Sequence, residues 1–494
     1  MPNATCQNGQ ENVKMILAFG ARRSALTKIL LISTYDLGRQ PFGLASPAAW
    51  LREAGHQVRC QDLTRAKLDE AAVRDAGLVA FFLPMHTATR MALPVMDRVG
   101  AINPSAHLCA YGLYAPLNAD ILRQHGVQTI LGPEFESDLV DLAADFRPEA
   151  AATRSKGGTH ASFESRGGSD ESRGFRLKAE GLARLQFKTP DRSDLPPLSK
   201  YASLQVGDTR KIVGYTEASR GCKHRCRHCP IVPVYDGRFR VVSVDVVMAD
   251  IAAQVRAGAE HITFGDPDFF NGPRHAIAIV EGLHKAFPEV SYDVTIKVEH
   301  LVAERALLPV LRGTNCAFVV SAVESIDDVV LGRLEKGHTR ADFEAVVAAF
   351  AEVGLSLSPT FVAFTPWTSL EGYCELLQAI DRLRLVPAVA PIQYAIRLLI
   401  PQGSHMLELE DVRARISHFD PRSLTYLWRH ADPRVDALQR DLEAVAGSKL
   451  NAHRAEMFAR VWTLAHEAAG LIPPAREPLA ARATVPYLNE PWYC

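Results

Sequence analysis

The sequence predicts an α/β protein with two successive strand–helix regions, a doubly wound parallel sheet followed by a partial (β/α)6 barrel. Short apolar runs alternate with helical segments over 29–146, and the alternation resumes near residue 212 and continues to about residue 401. A segment rich in Ser, Gly, Arg and Glu separates the two regions. We therefore expect a flexible arm over 1–28, the doubly wound domain over 29–146, a disordered linker over 147–175, the barrel over 176–408, and a small helical C-terminal region over 409–494.

In the first region, "ILLIST" (Ile29–Thr34) is typical of a buried strand, and "SPAAWLREAG" (Ser46–Gly55) of a helix capped by its first serine and ended by its last glycine. Further strands are predicted in "HQVRCQDL", "GLVAFFLP", "HLCAYGLYA" and "QTILGPEFE". Helices are predicted over Arg90–Ile102 and Asn118–His125. Apolar strands joined by such crossovers predict a doubly wound sheet.

After the linker, the Pro-containing segment "LQFKTPDRSDLPPLSKYASLQVGDTR" is predicted to lie as an extended strap on the second domain. Barrel strands are predicted in "IVGYTEAS", "HITFGDPDFF", "SYDVTIKVEHL", "AFVVSAVES", "LSLSPTFVAFTP" and "APIQYAIRLLIP". The helices between them are expected at Val244–Ala257, His275–Phe287, Arg340–Glu352 and Leu370–Leu383. Barrels of this kind carry their chemistry on the loops after the strands, so polar clusters there are the candidate site.

The composition is that of an ordinary folded protein. The chain has 494 residues, 47% hydrophobic and 22% charged, with a formal net charge of −1, which argues against nucleic acid or an anionic membrane as a partner. No apolar run approaches the ~20 residues of a membrane helix. The basic residues of the N-terminal segment follow its apolar patch, the reverse of a secretory signal. Nine cysteines spread over a long chain predict a reducing cytoplasm.

The stretch "GCKHRCRHC" follows the first predicted barrel strand and holds Cys222, Cys226 and Cys229 within eight positions. A structural zinc site and a closed iron–sulfur cluster each take four ligands. Three cysteines spaced CxxxCxxC can instead hold three irons of a [4Fe–4S] cluster and leave the fourth open to a small molecule with an amine and a carboxylate. The alternative is a zinc site completed by His224 or His228.

These motifs resemble the radical S-adenosylmethionine (radical SAM) superfamily over roughly Lys211–Pro401, preceded by a domain that resembles a Rossmann-like, cobalamin-binding domain. The resemblance implies a radical SAM barrel whose [4Fe–4S] cluster is held by the three cysteines and binds the methionyl amine and carboxylate of SAM. One electron, expected from a flavodoxin- or ferredoxin-type donor, then cleaves a carbon–sulfur bond. The substrate is expected to be a small molecule.

Further cofactor-binding residues are carried over from the same resemblance. "FGDPDFF" stands where the family contacts the SAM amine, and Asp266 and Asp268 suit an ammonium group, with capping of a turn as the alternative. Glu299 of "KVEH" and Ser321 and Glu324 of "SAVES" are candidates to bind the ribose hydroxyls or the methionyl group. Their alternative is a satisfied polar cluster at the rim of the barrel.

Two basic residues complete the predicted SAM site. Lys336 in "LEKGHT" is a candidate partner of the SAM carboxylate, and the alternative is a solvated charge at a helix end. Arg397 in "YAIRLLIP" stands among apolar residues, where a charge needs a partner or a ligand, so it is predicted to bind a carboxylate of SAM or substrate. His228 occupies a position that is usually aromatic in the family, where its ring can pack near adenine.

The first domain departs from the cobalamin-binding motif Asp-x-His-x-x-Gly. In "TYDLGRQPFG", Asp36 is present, but Gly38 occupies the position of the histidine, so this loop offers cobalt no imidazole. Two alternatives follow: cobalamin bound without a protein ligand, or a repurposed domain that binds none.

The chain ends in "YLNEPWYC". This tail, together with "FGDPDFFNGP", "TIKVEH", "SAVES" and "FTPWTSL", resembles the CUAEP/CCAEP-tail radical SAM group. The resemblance implies that Cys494 is a catalytic thiol that precedes a selenocysteine whose UGA codon was read as stop. It also implies transfer of the 3-amino-3-carboxypropyl group of SAM to trivalent arsenic, as in arsinothricin biosynthesis, because thiolates and selenolates bind soft elements.

Two other functions stay open at this point. One is a cobalamin-dependent radical SAM methyltransferase that acts on an organic substrate, which a bound corrinoid would favour. The other is a non-catalytic zinc-binding protein, which a brown, iron- and sulfide-containing preparation would exclude.

Overall fold

The computed structural model describes residues 27–145, 186–448, 454–475 and 486–489. The linker predicted over 147–175, most of the arm predicted over 1–28, and Cys494 lie outside these residues. The described chain forms a first domain around one parallel sheet and a second domain around a larger curled sheet, which confirms the predicted α/β fold class.

The first sheet has five parallel strands in the order β2-β1-β3-β4-β5. This order reverses direction beside β1, so helices cover both faces and a crevice opens at the carboxyl ends of the strands. The strands are β1 (Lys28–Ser33), β2 (Gln57–Asp62), β3 (Leu78–Phe82), β4 (His107–Tyr111) and β5 (Thr129–Ile130). The helices are α1 (Phe42–Glu53), α2 (Glu70–Asp75), α3 (His86–Ile102), α4 (Tyr114–Leu117), α5 (Ala119–Gln124) and α6 (Glu136–Asp145).

The start of α1 corrects a prediction. Ser46 was expected to cap this helix, but the helix begins at Phe42, after Pro41. The hydroxyl of Ser46 is buried inside the helix and donates to Oε1 of Glu136 at 2.6 Å. A serine is a good N-cap when it accepts a backbone N–H bond, whereas here a tertiary partner takes the hydroxyl.

The second sheet has seven strands in the order β13-β12-β11-β10-β7-β6-β16. Strands β7 and β10–β13 are parallel and curl into a half-barrel, and β6 and β16 add antiparallel strands at one edge. The strands are β6 (Ser203–Val206), β7 (Thr209–Thr216), β10 (His261–Phe264), β11 (Ser291–Thr295), β12 (Cys316–Glu324), β13 (Leu357–Phe361) and β16 (Tyr487–Asn489). A separate antiparallel pair joins β8 (Ser219–Gly221) to β9 (Phe239–Val241).

The sixth predicted barrel strand is reduced to a single bridge. The segment "APIQYAIRLLIP" forms a 3-10 helix over Pro391–Tyr394. Its one β-bridge is parallel and joins Arg397 to Phe364. Proline has no N–H to donate to a strand ladder and favours the start of a helical turn. The segment therefore begins at Pro391 as a helical turn instead of as a strand.

The helices of the second domain cover the outside of the half-barrel. They are α7 (Val232–Tyr235), α8 (Val244–Arg256), α9 (Pro273–Ala286), α10 (Val298–Ala303), α11 (Leu308–Gly313), α12 (Asp328–Arg333), α13 (Arg340–Val353) and α14 (Leu370–Arg382). The C-terminal region contains α15 (Glu410–Arg413), α16 (Pro433–Ser448) and α17 (Arg454–Ala469). It also contains an unpredicted hairpin of β14 (Ile416–Asp420) and β15 (Thr425–Trp428). Among the described helices, none combines the length and apolarity needed to cross a membrane.

The predicted strap contacts both domains. The backbone N–H of Asp191 donates to the carbonyl of Ala45 in the first domain at 2.9 Å. The guanidinium of Arg192 forms two bonds of 3.0 and 2.9 Å to the buried carboxylate of Asp250 and a third, of 2.7 Å, to the carbonyl of Tyr215. The strap therefore fixes the second domain against the first.

A buried ion pair joins the two domains directly. Arg220 on β8 is 7% exposed, and its two terminal nitrogens lie 2.6 and 2.9 Å from the oxygens of Glu136, which is 0% exposed. Its Nε donates to Glu217 at 2.8 Å, and the guanidinium lies 5.2 Å from the ring centre of Phe135. Arg220 stands two residues before Cys222, so this pair anchors the start of the cysteine loop to the first domain.

We predict that Arg220→Met lowers the free energy of unfolding by about 3–5 kcal/mol, because the buried carboxylate of Glu136 and the half-buried carboxylate of Glu217 lose their cation. Urea denaturation at pH 7 measures the loss. The matched control is Arg210→Met, since Arg210 is exposed and contacts Gln205 at the sheet edge. Equal unfolding midpoints for the two variants would contradict a structural role of the buried pair.

Candidate functional site

The three cysteines lie on the loop that runs from β8 to α7. Gly221 starts this loop with φ 75°, and a Cβ there would lie 2.5 Å from the carbonyl oxygen of Arg238, so the turn requires glycine. Within the loop, the N–H of Cys229 donates to the carbonyl of Cys226 at 3.0 Å. Cys226 is buried, and Cys222 and Cys229 are half-buried.

The donor set of this loop fits an open iron–sulfur cluster. The other described cysteines belong to β2, β4, the start of β12 and helix α14: Cys60, Cys109, Cys316 and Cys374. Among the described residues, the one group of three metal-ligating atoms within 4.8 Å of one another is His224, Asp268 and His300, which contains no cysteine. Within the described part of the chain, no group this close therefore includes any of the three thiols. Three sulfur donors are the number that holds three irons of a [4Fe–4S] cluster.

Two predicted cofactor-binding residues form a buried ion pair beside this loop. Glu324 ends β12 with φ 66°, and its Oε1 lies 3.5 Å from Nζ of Lys336; the two residues are 8% and 3% exposed. Burial disfavours the charge of Glu324, but Lys336 and the ring of His228, 3.2 Å away, lower its pKa to about 2. The alternative that Lys336 is solvated does not agree with its burial.

The cysteine thiols also affect the pKa of Lys336. Burial works to lower the pKa of Lys336, but Glu324, followed by Cys226 and Cys229, raises it above its ordinary value. The ammonium group is thus within electrostatic range of two predicted cluster ligands. A fixed positive charge beside a thiolate-rich loop stabilises the deprotonated sulfurs that a metal cluster requires.

Asp266 follows β10 and bonds to the segment that precedes the cysteine loop. Its Oδ2 accepts from the N–H of Ala218 at 2.9 Å, and its Oδ1 accepts from the hydroxyl of Ser219 at 2.5 Å. Burial raises the pKa of Asp266 to about 7, against the opposing effect of these bonds. Since both oxygens have partners in the chain, the geometry favours the turn-capping alternative over contact with SAM.

Asp268 and Glu299 lie on either side of a pair of histidines. Nδ1 of His300 is 2.7 Å and Nε2 of His224 is 3.4 Å from Oδ2 of Asp268. Nδ1 of His224 is 3.3 Å from Oε2 of Glu299, which also accepts from Lys297 at 2.8 Å. Burial of Asp268 disfavours its charge, but the two imidazoles hold its pKa below the usual range.

Arg397 contacts the C-terminal region. Its Nη1 lies 2.8 Å from Asp436 on α16, its Nη2 donates to the carbonyl of Trp428 at 2.7 Å, and its guanidinium stacks 3.5 Å from the centre of the Trp428 ring. The partner that the sequence analysis required for this charge is therefore an aspartate of the C-terminal region. This arrangement corrects the prediction of a carboxylate-binding arginine, because the guanidinium is already engaged.

Several buried polar atoms near the carboxyl ends of the strands have no hydrogen-bond partner. They include the hydroxyl of Ser321, Nδ1 of His228 and both ring nitrogens of His338. Burial, then Lys336 and Lys297, lower the pKa of His338 to about 4, so its ring is neutral at pH 7. Buried polar groups normally have partners, so these atoms are candidates to contact water or a polar ligand.

His338 and His300 were not predicted as site residues. His300 directly follows Glu299 in "KVEH", after β11, and His338 lies two residues after Lys336 in "LEKGHT", after α12. Their closeness to Glu299 and Lys336 was the available signal. Ser321 was predicted, and the structure places its unpartnered hydroxyl inside the barrel wall.

The first domain has the predicted doubly wound parallel sheet, with a turn after β1 that contacts the strap. The loop after β1 turns at Leu37 and Gly38, with φ 48° and 70°, and the carbonyl of Gly38 accepts from the N–H of Ala202 in the strap at 2.8 Å. The loop after β1, residues 34–41, contains no histidine, in agreement with the sequence motif. Tyr114 on α4 lies within electrostatic range of the Cys229 thiol, so this edge of the first domain faces the cysteine loop.

Comparisons with known proteins identify the barrel. Residues 216–368 match the family model of the Radical SAM superfamily. The chain is 25% identical over 192 residues to ribosomal protein uS12 methylthiotransferase RimO of Porphyromonas gingivalis, covering 36% of this chain and 42% of that protein. It is 23% identical over 349 residues to hopanoid C-3 methylase of Methylococcus capsulatus, covering 68% of this chain and 64% of that protein.

A solved structure shares the arrangement of both domains. The cobalamin-dependent S-adenosylmethionine radical enzyme OxsB, with aqua-cobalamin bound, aligns with a TM-score of 0.66 and 15% identity over 90% of this chain and 72% of that chain. At this identity the likeness shows the fold alone. The chain spans about two fifths of the length of the first of these curated relatives.

We predict that Glu324→Gln destabilises the second domain by about 3–5 kcal/mol, since Lys336 stays buried without its carboxylate. The folded pKa of Glu324, about 2, lies below the ordinary value of about 4.3. The stabilisation by this ion pair is therefore fully present when the pH is above the ordinary pKa. It is lost as the pH falls towards the pKa of Glu324 in the folded protein. Thermal unfolding of both proteins between pH 8 and pH 3 measures this.

Glu352→Gln is the matched control, because Glu352 is exposed and pairs with the exposed Arg305. The gap between wild type and Glu324→Gln is expected to stay constant from pH 8 to about pH 5 and to narrow below that. A gap that widens on acidification would show that the carboxylate is not stabilised by Lys336.

Proposed function

We propose that this chain, in which residues 216–368 form a radical SAM domain, is an enzyme that cleaves SAM reductively and transfers one of its carbon groups to a small molecule. The observation that carries the proposal is a loop of three cysteines beside buried polar atoms that have no partner in the chain. A [4Fe–4S] cluster, when bound there, supplies the electron that breaks a carbon–sulfur bond of SAM.

In this proposal Cys222, Cys226 and Cys229 hold the cluster. Lys336 donates to the carboxylate of SAM, because its ammonium is buried, charged and near the thiols. Glu324 keeps Lys336 charged and oriented, and so acts as a positioning residue. An external electron donor is part of the reaction.

Ser321 and His338 are proposed to contact SAM or substrate. The Ser321 hydroxyl can both donate and accept, and a neutral His338 can do so with its two ring nitrogens. Their burial keeps these contacts away from water, where each is worth more than in solution. A ligand that satisfies these atoms gains hydrogen bonds that the chain does not supply.

The finer proposal is transfer of the 3-amino-3-carboxypropyl group of SAM to trivalent arsenic. It is supported by the resemblance of the tail, and its proposed catalytic thiol, Cys494, lies outside the described residues. Sulfur ligands suit a trivalent, soft element. Breaking the bond between sulfur and this carbon group leaves 5′-methylthioadenosine.

The second candidate is cobalamin-dependent methyl transfer to an organic substrate. It is favoured by the likeness of both domains to the cobalamin-dependent enzyme OxsB and by the match to a hopanoid methylase. The first domain lacks the histidine of the binding motif, so any cobalamin would be held without that ligand.

We predict that the anaerobically reconstituted protein, given dithionite and SAM, cleaves SAM, because its three thiols hold a cluster with an open iron. Mass spectrometry of the products identifies the bond that breaks. 5′-Methylthioadenosine that rises with arsenite supports aminocarboxypropyl transfer, whereas 5′-deoxyadenosine with S-adenosylhomocysteine supports methyl transfer.

Cys226→Ala is expected to lower cluster iron and abolish both products, and Cys374→Ala is the matched control, since Cys374 lies in α14 away from the loop. Intact SAM after incubation with a fully loaded cluster would contradict the proposal. So would equal product formation by the two variants.

A further inference from the structure

A second group of metal-type ligands stands beside the cysteine loop. The ligand atoms of His224, Asp268 and His300 all lie within 4.8 Å of one another, and Asp268 and His300 are buried. Two imidazoles and one carboxylate form a donor set that binds divalent transition metals and leaves coordination positions open. None of the three is a predicted cluster ligand.

The distances between the ligand atoms allow all three side chains to bind one shared metal ion. Oδ2 of Asp268 lies 2.7 Å from Nδ1 of His300 and 3.4 Å from Nε2 of His224, and the two Nε2 atoms are 3.2 Å apart. Metal–ligand bonds of about 2.0–2.2 Å place neighbouring donors roughly 3 Å or slightly more apart. The side chains are therefore close to a ligating arrangement without a change of backbone.

Within this group, the two histidines share a hydrogen bond between their Nε2 atoms, at 3.2 Å. Oδ2 of Asp268 and Nδ1 of His300 are both buried and lack a hydrogen-bond partner, although they lie 2.7 Å apart. The nearby ammonium of Lys297 pairs with Glu299. Among the described residues, the ion pairs of Asp268 are with the two imidazoles only. A buried carboxylate in this setting favours a cation.

The surrounding residues orient the ligands. The other oxygen of Asp268 accepts from the N–H of Phe270 at 3.2 Å, which turns Oδ2 towards the histidines. Nδ1 of His224 contacts the carboxylate of Glu299, which leaves Nε2 for the metal. A carboxylate behind a ligating histidine is the usual outer contact of metal sites and fixes its ring.

We propose that His224, Asp268 and His300 bind one divalent transition-metal ion, of the class of Zn²⁺ or Fe²⁺, separate from the iron–sulfur cluster. The ion lies beside Cys222, because Asp268 interacts electrostatically with that thiol. Its open positions would accept an oxygen or nitrogen donor of the small-molecule substrate. This proposal concerns a binding site and does not depend on which bond of SAM is cleaved.

The test is zinc binding by the full chain with its iron–sulfur sites loaded. Anaerobically reconstituted protein is dialysed against micromolar Zn²⁺, and iron and zinc per chain are measured by plasma mass spectrometry. Wild type is expected to bind one zinc in addition to its iron. Asp268→Asn and His300→Gln are expected to weaken zinc binding at least tenfold with unchanged iron. His418→Ala is the matched control, since His418 is exposed on β14.

Two results would overturn the metal site: no zinc beyond the iron in wild type, or equal zinc in wild type and both variants. If Asp268→Asn weakens SAM binding and leaves zinc unchanged, Asp268 serves the SAM ammonium instead. Because Asp268 follows β10 and His300 lies in α10, two variants on different elements guard against misfolding of one of them. The melting temperature of each is measured. SAM cleavage is measured on the same samples. Cleavage without zinc binding would contradict the zinc site alone, whereas zinc binding without cleavage would contradict the proposed function alone.

Discussion

The buried pair of Arg220 and Glu136 is the interaction on which the site depends. It places a fully desolvated charge between two domains, and such a pair is stable only when both partners and their remaining hydrogen bonds are in place. Arg220 belongs to the strand that leads into the cysteine loop, and Glu136 begins a helix of the first domain. The position of that loop is thus set by the contact between the domains as well as by the half-barrel.

The same principle recurs around the loop. Two further buried carboxylates are each held by an opposite charge on another element: Asp250 by Arg192 of the strap, and Glu324 by Lys336. These pairs fix the directions of the side chains at the carboxyl ends of the strands. The polar atoms left without partners, at Ser321 and His338, then mark where a ligand is expected.

Local patterns predicted much of this structure. The strands of both domains appear as apolar runs, and the three cysteines were recognisable from spacing alone. Features that depend on distant partners were not predictable. Ser46 resembles a helix cap but bonds to Glu136, and Arg397 resembles a ligand-binding charge but pairs with Asp436. The sixth strand looked like the others, but the constraint of proline reduced it to one bridge.

The most direct test of a cluster with an open iron is electron paramagnetic resonance of the dithionite-reduced, reconstituted protein with and without SAM. Such a cluster is expected to give the signal of a reduced [4Fe–4S] centre, with g values that shift when SAM binds to the open iron. A reduced cluster whose spectrum SAM leaves unchanged would contradict an open iron, and a protein that binds zinc in place of iron at its three cysteines would contradict the radical SAM assignment.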